Sequence, residues 1–154
     1  VECVVTGIPI GLGEPFWNSI ESMISHAVFA IPAVRGIEFG TGFEAANMFA
    51  SEHNDTLINA AGTTATNHAG GIVGGITNGN PIVFRIAIKP TSSTPKEQTT
   101  YNWVSGTQDI LSVKGRHDLC IALRVPPVLE AVTALVLADA MLAMQHIKRM
   151  YSPV

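Results

Sequence analysis

The run from Pro126 to Met150, PPVLEAVTALVLADAMLAMQHIKRM, constrains the fold of this chain more than any other stretch. Two prolines suit the first turn of a helix, where a missing N–H costs nothing, and Lys148 and Arg149 fall near the negative C-terminal end. At ~1.5 Å per residue such a helix extends ~33 Å, enough to cross a domain. Glu130, Thr133, Asp139 and Gln145 break the run, so no window holds the ~18 uninterrupted apolar residues that a membrane span needs. It reads as a buried helix of a soluble protein.

A buried helix needs a layer to pack on, and the preceding residues supply one. VECVVTGIP reads as a strand, and GLGEP turns the chain, with Pro15 suited to a first helical turn. In PFWNSIESMISHAVFAIP, Phe16, Ile20, Met23, Ile24, Ala27, Val28 and Ile31 fall at helical spacing, and Pro32 stops the run. AVRGIEFGTGF is a short strand, and GFEAANMFASEHND begins as a short helix. From Asn54 to Gly79 the composition turns to Asn, Thr, Ala and Gly and favours loop. NPIVFRIAIKP returns as a strand, TSSTPKEQTT is a polar connection, and NWVSGTQDILSVKG holds one more short strand. The class is α+β, without the regular alternation of a doubly wound sheet. With 154 residues, 47% hydrophobic and 14% charged, the chain makes one domain with a sizeable core, and disorder is excluded.

The net charge of −3 argues against a sequence-independent nucleic-acid binder. The charge is unevenly placed: Arg85, Lys89, Lys96, Lys114, Arg116 and Arg124 face only Glu97, Asp109 and Asp118 between residues 85 and 124. A cationic zone in an acidic protein suits either a small anionic ligand or a solvated basic face. Cys3 and Cys120 lie far apart with no CxxC spacing, which fits a reducing compartment, with the cytoplasm as the default. The chain opens on Val1 within a strand pattern, so a fragment with no signal peptide is expected.

Three stretches carry polar chemistry. Gly70, Gly71, Gly74, Gly75 and Gly79 fit neither GxGxxG nor GxxxxGK, which removes dinucleotide and P-loop readings. Beside Asn67, His68, Thr77 and Asn78 they either offer backbone amides to an anion or a flat ring, or form tight turns that let two backbones pack closely. In IAIKPTSST a strand ends in Lys89, Pro90 fixes the exit, and Thr91, Ser92, Ser93 and Thr94 offer hydroxyls, which suits a phosphate cradle or a plain surface turn. In KGRHDLC, Arg116 can hold an anion bidentately and Asp118 can act as base or acceptor, or the two can tie segments together as a salt bridge. His26, His53, His68 and His146 show no HxxxH pairing, so no metal site is expected. The absence of GxSxG and of an activating partner for either cysteine leaves nucleophilic hydrolysis unsupported.

GIPIGLGEPFW, IPAVRGIEFGTGF, SEHND, NHAGGIVGGITNG, IAIKPTSS and GRHDLCIALRVPPVLEA, in this order, resemble the chorismate synthase family over essentially all 154 residues. The resemblance implies a β-α-β sandwich, here partial, with residues 1–154 forming the C-terminal part of a single domain whose N-terminal half is absent. It implies a cytoplasmic lyase of the shikimate pathway and of aromatic amino acid biosynthesis, usually a homotetramer. Such a lyase converts 5-enolpyruvylshikimate 3-phosphate to chorismate and phosphate by anti 1,4-elimination with reduced FMN, without nucleic acid or membrane. By position, Pro32, Ala33, Gly74, Lys89, Pro90, Thr91, Ser92, Ser93 and Arg116 look like flavin-binding residues. Asp118 looks like the catalytic carboxylate at flavin N5. Leu119 stands where the family commonly has Pro. The absent half holds the family's proposed acid histidines, most substrate-gripping arginines and a further flavin segment, so the chain alone is expected to be inactive. The alternative is a flavin-binding or oligomerisation module without catalysis.

Overall fold

A computed structural model describes residues 1–145, and the expected basic helix end at Lys148 and Arg149 lies outside the described residues. Strand β1 (Glu2–Val5) and strand β2 (Val34–Phe39) flank a longer central strand, Ile82–Ile88, and both run antiparallel to it. The helix Ile20–Val28, α1, joins β1 to β2, so the first strand, helix and strand form a β-α-β unit split by the later strand. The central strand reads IVFRIAI, and its alternation sends Ile82, Phe84 and Ile86 to one face. On that face they meet Cys3, Val34 and the buried side of α1, namely Ile20, Ile24 and Val28. Phe39 and Phe84, directly opposite in register, add a tilted ring contact at 5.5 Å.

Helix α1 starts four residues later than its spacing predicts. Phe16 has φ 69° and stands 84% exposed in a single turn of 3₁₀ helix, Phe16–Asn18, so it is no part of the apolar stripe. Ser19 is extended and its hydroxyl accepts from the Ser22 N–H, which makes it the N-cap. The expected short helix after β2 is a 3₁₀ turn, Gly42–Asn47, followed by one α-turn, α2 (Ala50–His53). The stretch expected to be all loop contains a two-stranded ribbon, β3 (Ile72–Val73) and β4 (Ile76–Thr77), which makes Ile82–Ile88 strand β5. The single strand expected after Lys96 is a hairpin, β6 (Gln98–Asn102) with β7 (Thr107–Leu111), closed by a turn containing Gly106 at φ 71°.

The long apolar helix, α3, spans Pro126–Ala143, and Gln145 turns left-handed just after it at φ 58°; the expected stretch from 146 to 150 lies outside the described residues. Nor is it buried all round. Leu129, Thr133, Leu137 and Ala140 form one buried stripe against α1 and β1, while Leu135 is 71% and Leu142 53% exposed. By length and a hydropathy of 1.5 the helix also meets the requirement for a membrane span, yet its packed stripe belongs to the same core as the sheet. Helices α1 and α3 thus make one layer over a three-stranded sheet, with the far side of the helix layer open.

Candidate functional site

Strand direction decides where the candidate residues gather. Because β5 runs opposite to β1 and β2, its C-terminal end lies beside the start of β2, where Val34 pairs Ile88. The Lys89 N–H donates to the Ala33 carbonyl at 2.9 Å, which locks the KPTSS exit onto the turn holding Pro32 and Ala33. Ala33 adopts φ 72°, a left-handed conformation uncommon for a residue with a Cβ and found disproportionately at binding sites. One residue beyond Pro90, the Thr91 hydroxyl donates to the Asp118 carbonyl at 2.9 Å. The Val113 N–H donates to the Thr94 carbonyl at 3.3 Å and the Ser112 hydroxyl to the Pro95 carbonyl at 2.8 Å, so the two segments run side by side. Pro32, Ala33, Lys89 to Ser93 and Asp118 therefore share one end of the sheet. Arg116 lies exposed on the same segment as Asp118.

Asp118 does not pair with Arg116. Its carboxylate accepts from the Arg124 guanidinium at 2.7 Å, across the 3₁₀ turn Ile121–Arg124 that leads into α3. Sequence reasoning missed Arg124 as a partner, although its place one turn before the two prolines was the available signal. Both groups are exposed, so the pair is worth only ~0–1 kcal/mol and an incoming ligand can displace it. Another cation of the expected basic zone leaves the site altogether. Arg85 bridges Glu2 and Glu38 on the outer face of the sheet and donates to the Gly40 carbonyl. Its guanidinium, joined by the Phe43 N–H, holds the Glu38 carboxyl below the usual range.

Gly74 stands apart from the other candidates. The β3–β4 turn lies at the start of α1, where the Ile20 N–H donates to the Gly75 carbonyl at 3.0 Å, whereas Pro32 and Ala33 follow the other end of α1. About 13 Å of helix separates the two places. The glycine run nevertheless divides cleanly. A Cβ at Gly70 would sit 2.5 Å from the Gly40 nitrogen, one at Gly71 2.5 Å from the Pro81 carbonyl oxygen, and one at Gly75 2.6 Å from the Ser19 Cβ. These glycines serve close backbone approach. At Gly74 a Cβ would meet nothing within 4 Å, so that turn, at φ 62°, is open. Asn67, His68, Thr77 and Asn78, expected beside a ligand, hold the loop instead: the Thr77 hydroxyl donates to the Pro9 carbonyl at 2.7 Å and accepts from the Leu12 N–H at 2.9 Å.

The candidates line neither of two sizeable cavities. One, about 520 Å³, lies between α1 and α3 and is lined by Trp17, His26, Val136 and Asp139 among others. Another, about 290 Å³, lies on the outer sheet face around Glu38, Phe43 and Arg85. Among the described residues no group of three His, Cys, Asp or Glu side chains could hold a metal. Cys3 is buried, which pushes its thiol upward. The donor set at the sheet end nonetheless fits a flavin mononucleotide chemically: an ammonium, a guanidinium and hydroxyls suit a phosphate, and a carboxylate suits a ring N–H.

Fold and site together define a split β-α-β unit that presents an exposed edge bearing Lys89, Arg116 and hydroxyls, and an uncovered helix face. The chain belongs to the chorismate synthase family, whose model matches residues 1–142. It is 69% identical over 151 residues to the chorismate synthase of Chitinophaga pinensis, covering 98% of this chain and 46% of that protein. It is 50% identical over 151 residues to the chorismate synthase of Archaeoglobus fulgidus, covering 97% and 42%. A crystal structure of chorismate synthase superposes with a TM-score of 0.72 at 32% identity, over 93% of this chain and 37% of that one. The α+β class and the partial sandwich expected from the sequence match that fold. The chain spans under half the length of these relatives.

Proposed function

We propose that residues 1–154 are the C-terminal part of a single chorismate synthase domain. The parent would be a cytoplasmic homotetramer converting 5-enolpyruvylshikimate 3-phosphate to chorismate and phosphate. In the anti 1,4-elimination the C–O bond would break with its electron pair leaving on phosphate, a ring proton would pass to a base, and the C–H electrons would supply the new double bond, with no net oxidation or reduction. Bound reduced FMN supplies electron density to the ring as phosphate departs. The chain's residues bind and orient. Lys89, Arg116 and the hydroxyls of Thr91, Ser92 and Ser93 offer donors to anionic oxygens, Pro32, Ala33 and Pro90 shape the wall, and Gly74 admits the ligand without a side chain. Asp118 holds the proton at flavin N5, exchanging Arg124 for that partner.

The Thr91–Asp118 hydrogen bond carries the reading, because it joins two candidate segments that lie 27 residues apart in sequence. The open face of the α1–α3 layer supports the partial sandwich, since a second sheet has somewhere to pack. A module that binds flavin or assembles without catalysis is the second reading, favoured by the exposure of Lys89, Ser92, Arg116 and Asp118. Titrating oxidised and reduced FMN into the chain and into its parent, with and without substrate, separates them. Substrate-enhanced flavin binding by the parent supports the lyase; flavin binding that substrate leaves unchanged, with no turnover, supports the module.

A further inference from the structure

We infer that Asp55 is a positioning residue for the open turn at Gly74, an inference that rests on the flavin reading above. Asp55 closes the SEHND stretch and reaches across to the segment just ahead of the glycine run. Its Oδ1 accepts from the Thr66 hydroxyl at 2.7 Å and the His68 N–H at 2.8 Å, and its Oδ2 accepts from the Ala69 N–H at 2.9 Å. Burial pushes this carboxyl up, but the hydrogen bonds from Thr66, Ala69 and His68 outweigh it and leave the group below its ordinary range, hence ionised near neutrality.

The segment that Asp55 grips is held from two further sides. The Thr41 hydroxyl shares a hydrogen with His68 Nδ1 at 2.8 Å, and the Thr41 N–H donates to the His68 carbonyl at 2.8 Å. Asn67 donates to the Pro81 carbonyl and accepts from the Gly71 N–H, both at 2.8 Å. Gly70 and Gly71 then fit against Gly40 and Pro81 with no room for a Cβ, and β3 begins at once with Ile72. Residues 66–71 thus form a rigid base, and the β3–β4 turn projects from it two residues later. The carboxylate is the anchor of that base and touches neither the turn nor the site at the other end of α1. With the Gly75 carbonyl that accepts from the Ile20 N–H at 3.0 Å and the Thr77 N–H that donates to the Leu12 carbonyl at 2.9 Å, the carboxylate sets where Gly74 stands, which is a geometric role.

The test is made in the full-length parent. Asp55→Asn keeps one oxygen for Thr66 and His68 but turns an amide toward the Ala69 N–H, so the fold survives while the base shifts. FMN affinity, measured well below the variant's own unfolding midpoint, is expected to fall at least about tenfold, the loss that one charge-assisted hydrogen bond carries. Gly74→Ala, which adds a methyl to the open turn, serves as the reference. Parental FMN affinity in Asp55→Asn alongside weakened binding in Gly74→Ala overturns the inference and leaves the flavin reading standing. Parental affinity in both overturns both. If Asp55→Asn recovers parental affinity well below its unfolding midpoint, Asp55 serves global stability alone and the inference falls. Thr66→Val, which removes one donor and keeps the carboxylate, gives a smaller loss of affinity in the same direction and supplies the answer if Asp55→Asn does not accumulate; parental affinity there also overturns it.

Discussion

At Asp118 the charges nearest in sequence are not the charges nearest in space. KGRHDLC put Arg116 and Asp118 two residues apart, and the structure gives the carboxylate to Arg124 instead. The sequence could show that an acid and a base share the segment; it could not show which base, because the pairing depends on the 3₁₀ turn that brings residue 124 back. This matters for function, since a carboxylate in a weak exposed pair is free to change partners. Asp118→Asn in the parent is expected to slow turnover while leaving FMN affinity largely intact, and equal turnover would remove the catalytic assignment. Arg116→Ala should weaken flavin or substrate binding by ~1.5–3 kcal/mol, as for a lost charge-assisted hydrogen bond, which a fluorescence titration of FMN reads directly. Arg124→Ala should alter the chain's unfolding free energy by no more than ~1 kcal/mol, measured in urea, because both partners are exposed.

Among the elements, α3 separates what packing does from what composition says. Leu137 is 4% exposed and Leu135 71%, although the two are chemically identical and lie on one helix. Leu137→Ala is expected to cost the isolated chain ~2–5 kcal/mol, the usual loss for a buried leucine, whereas Leu135→Ala should stay within ~0.5 kcal/mol. If Leu135 faces a second layer in the parent, the same change there becomes costly, and chemical denaturation of both proteins shows the difference. Strands β1, β2 and β5 and the cores of α1 and α3 were legible because apolar periodicity reports burial directly. The start of α1 was not, since Phe16 has the right spacing but a left-handed backbone that no periodicity records. Strand β7 lies within the stretch NWVSGTQDILSVKG that read as one short strand, but its partner β6 was hidden beside a polar connection, because four of its five residues are exposed and QTTYN carries no buried alternation. The glycine run read as ligand loop or as tight packing, and the structure divides it: Gly70, Gly71 and Gly75 pack, while Gly74 has open space beside it.

For the whole molecule, two carboxylates tie distant parts of the chain together: Glu38 to Arg85 and Phe43, and Asp55 to residues 66–69. Both are held below their ordinary values, so their stabilisation is present above the unfolded carboxylate range of ~3.9–4.3 and is lost as pH falls through the lower folded values. Thermal unfolding followed between neutrality and pH 2 should show the midpoint dropping below about pH 4, and Asp55→Asn should flatten part of that fall. The larger consequence concerns completeness. Nine of the ten candidate residues sit at one end of a sheet, on segments open to solvent, and the tenth lies at the far end of α1. An electrostatic site gains its strength from excluding water, so donors on an open edge bind weakly even when their chemistry is right. The chain alone is therefore expected to give no chorismate with reduced FMN and 5-enolpyruvylshikimate 3-phosphate. Adding the separately expressed remainder of the parent should restore turnover as the helix layer is covered and the edge enclosed. Turnover by the chain alone near parental rates would mean that these residues form a complete site without that cover.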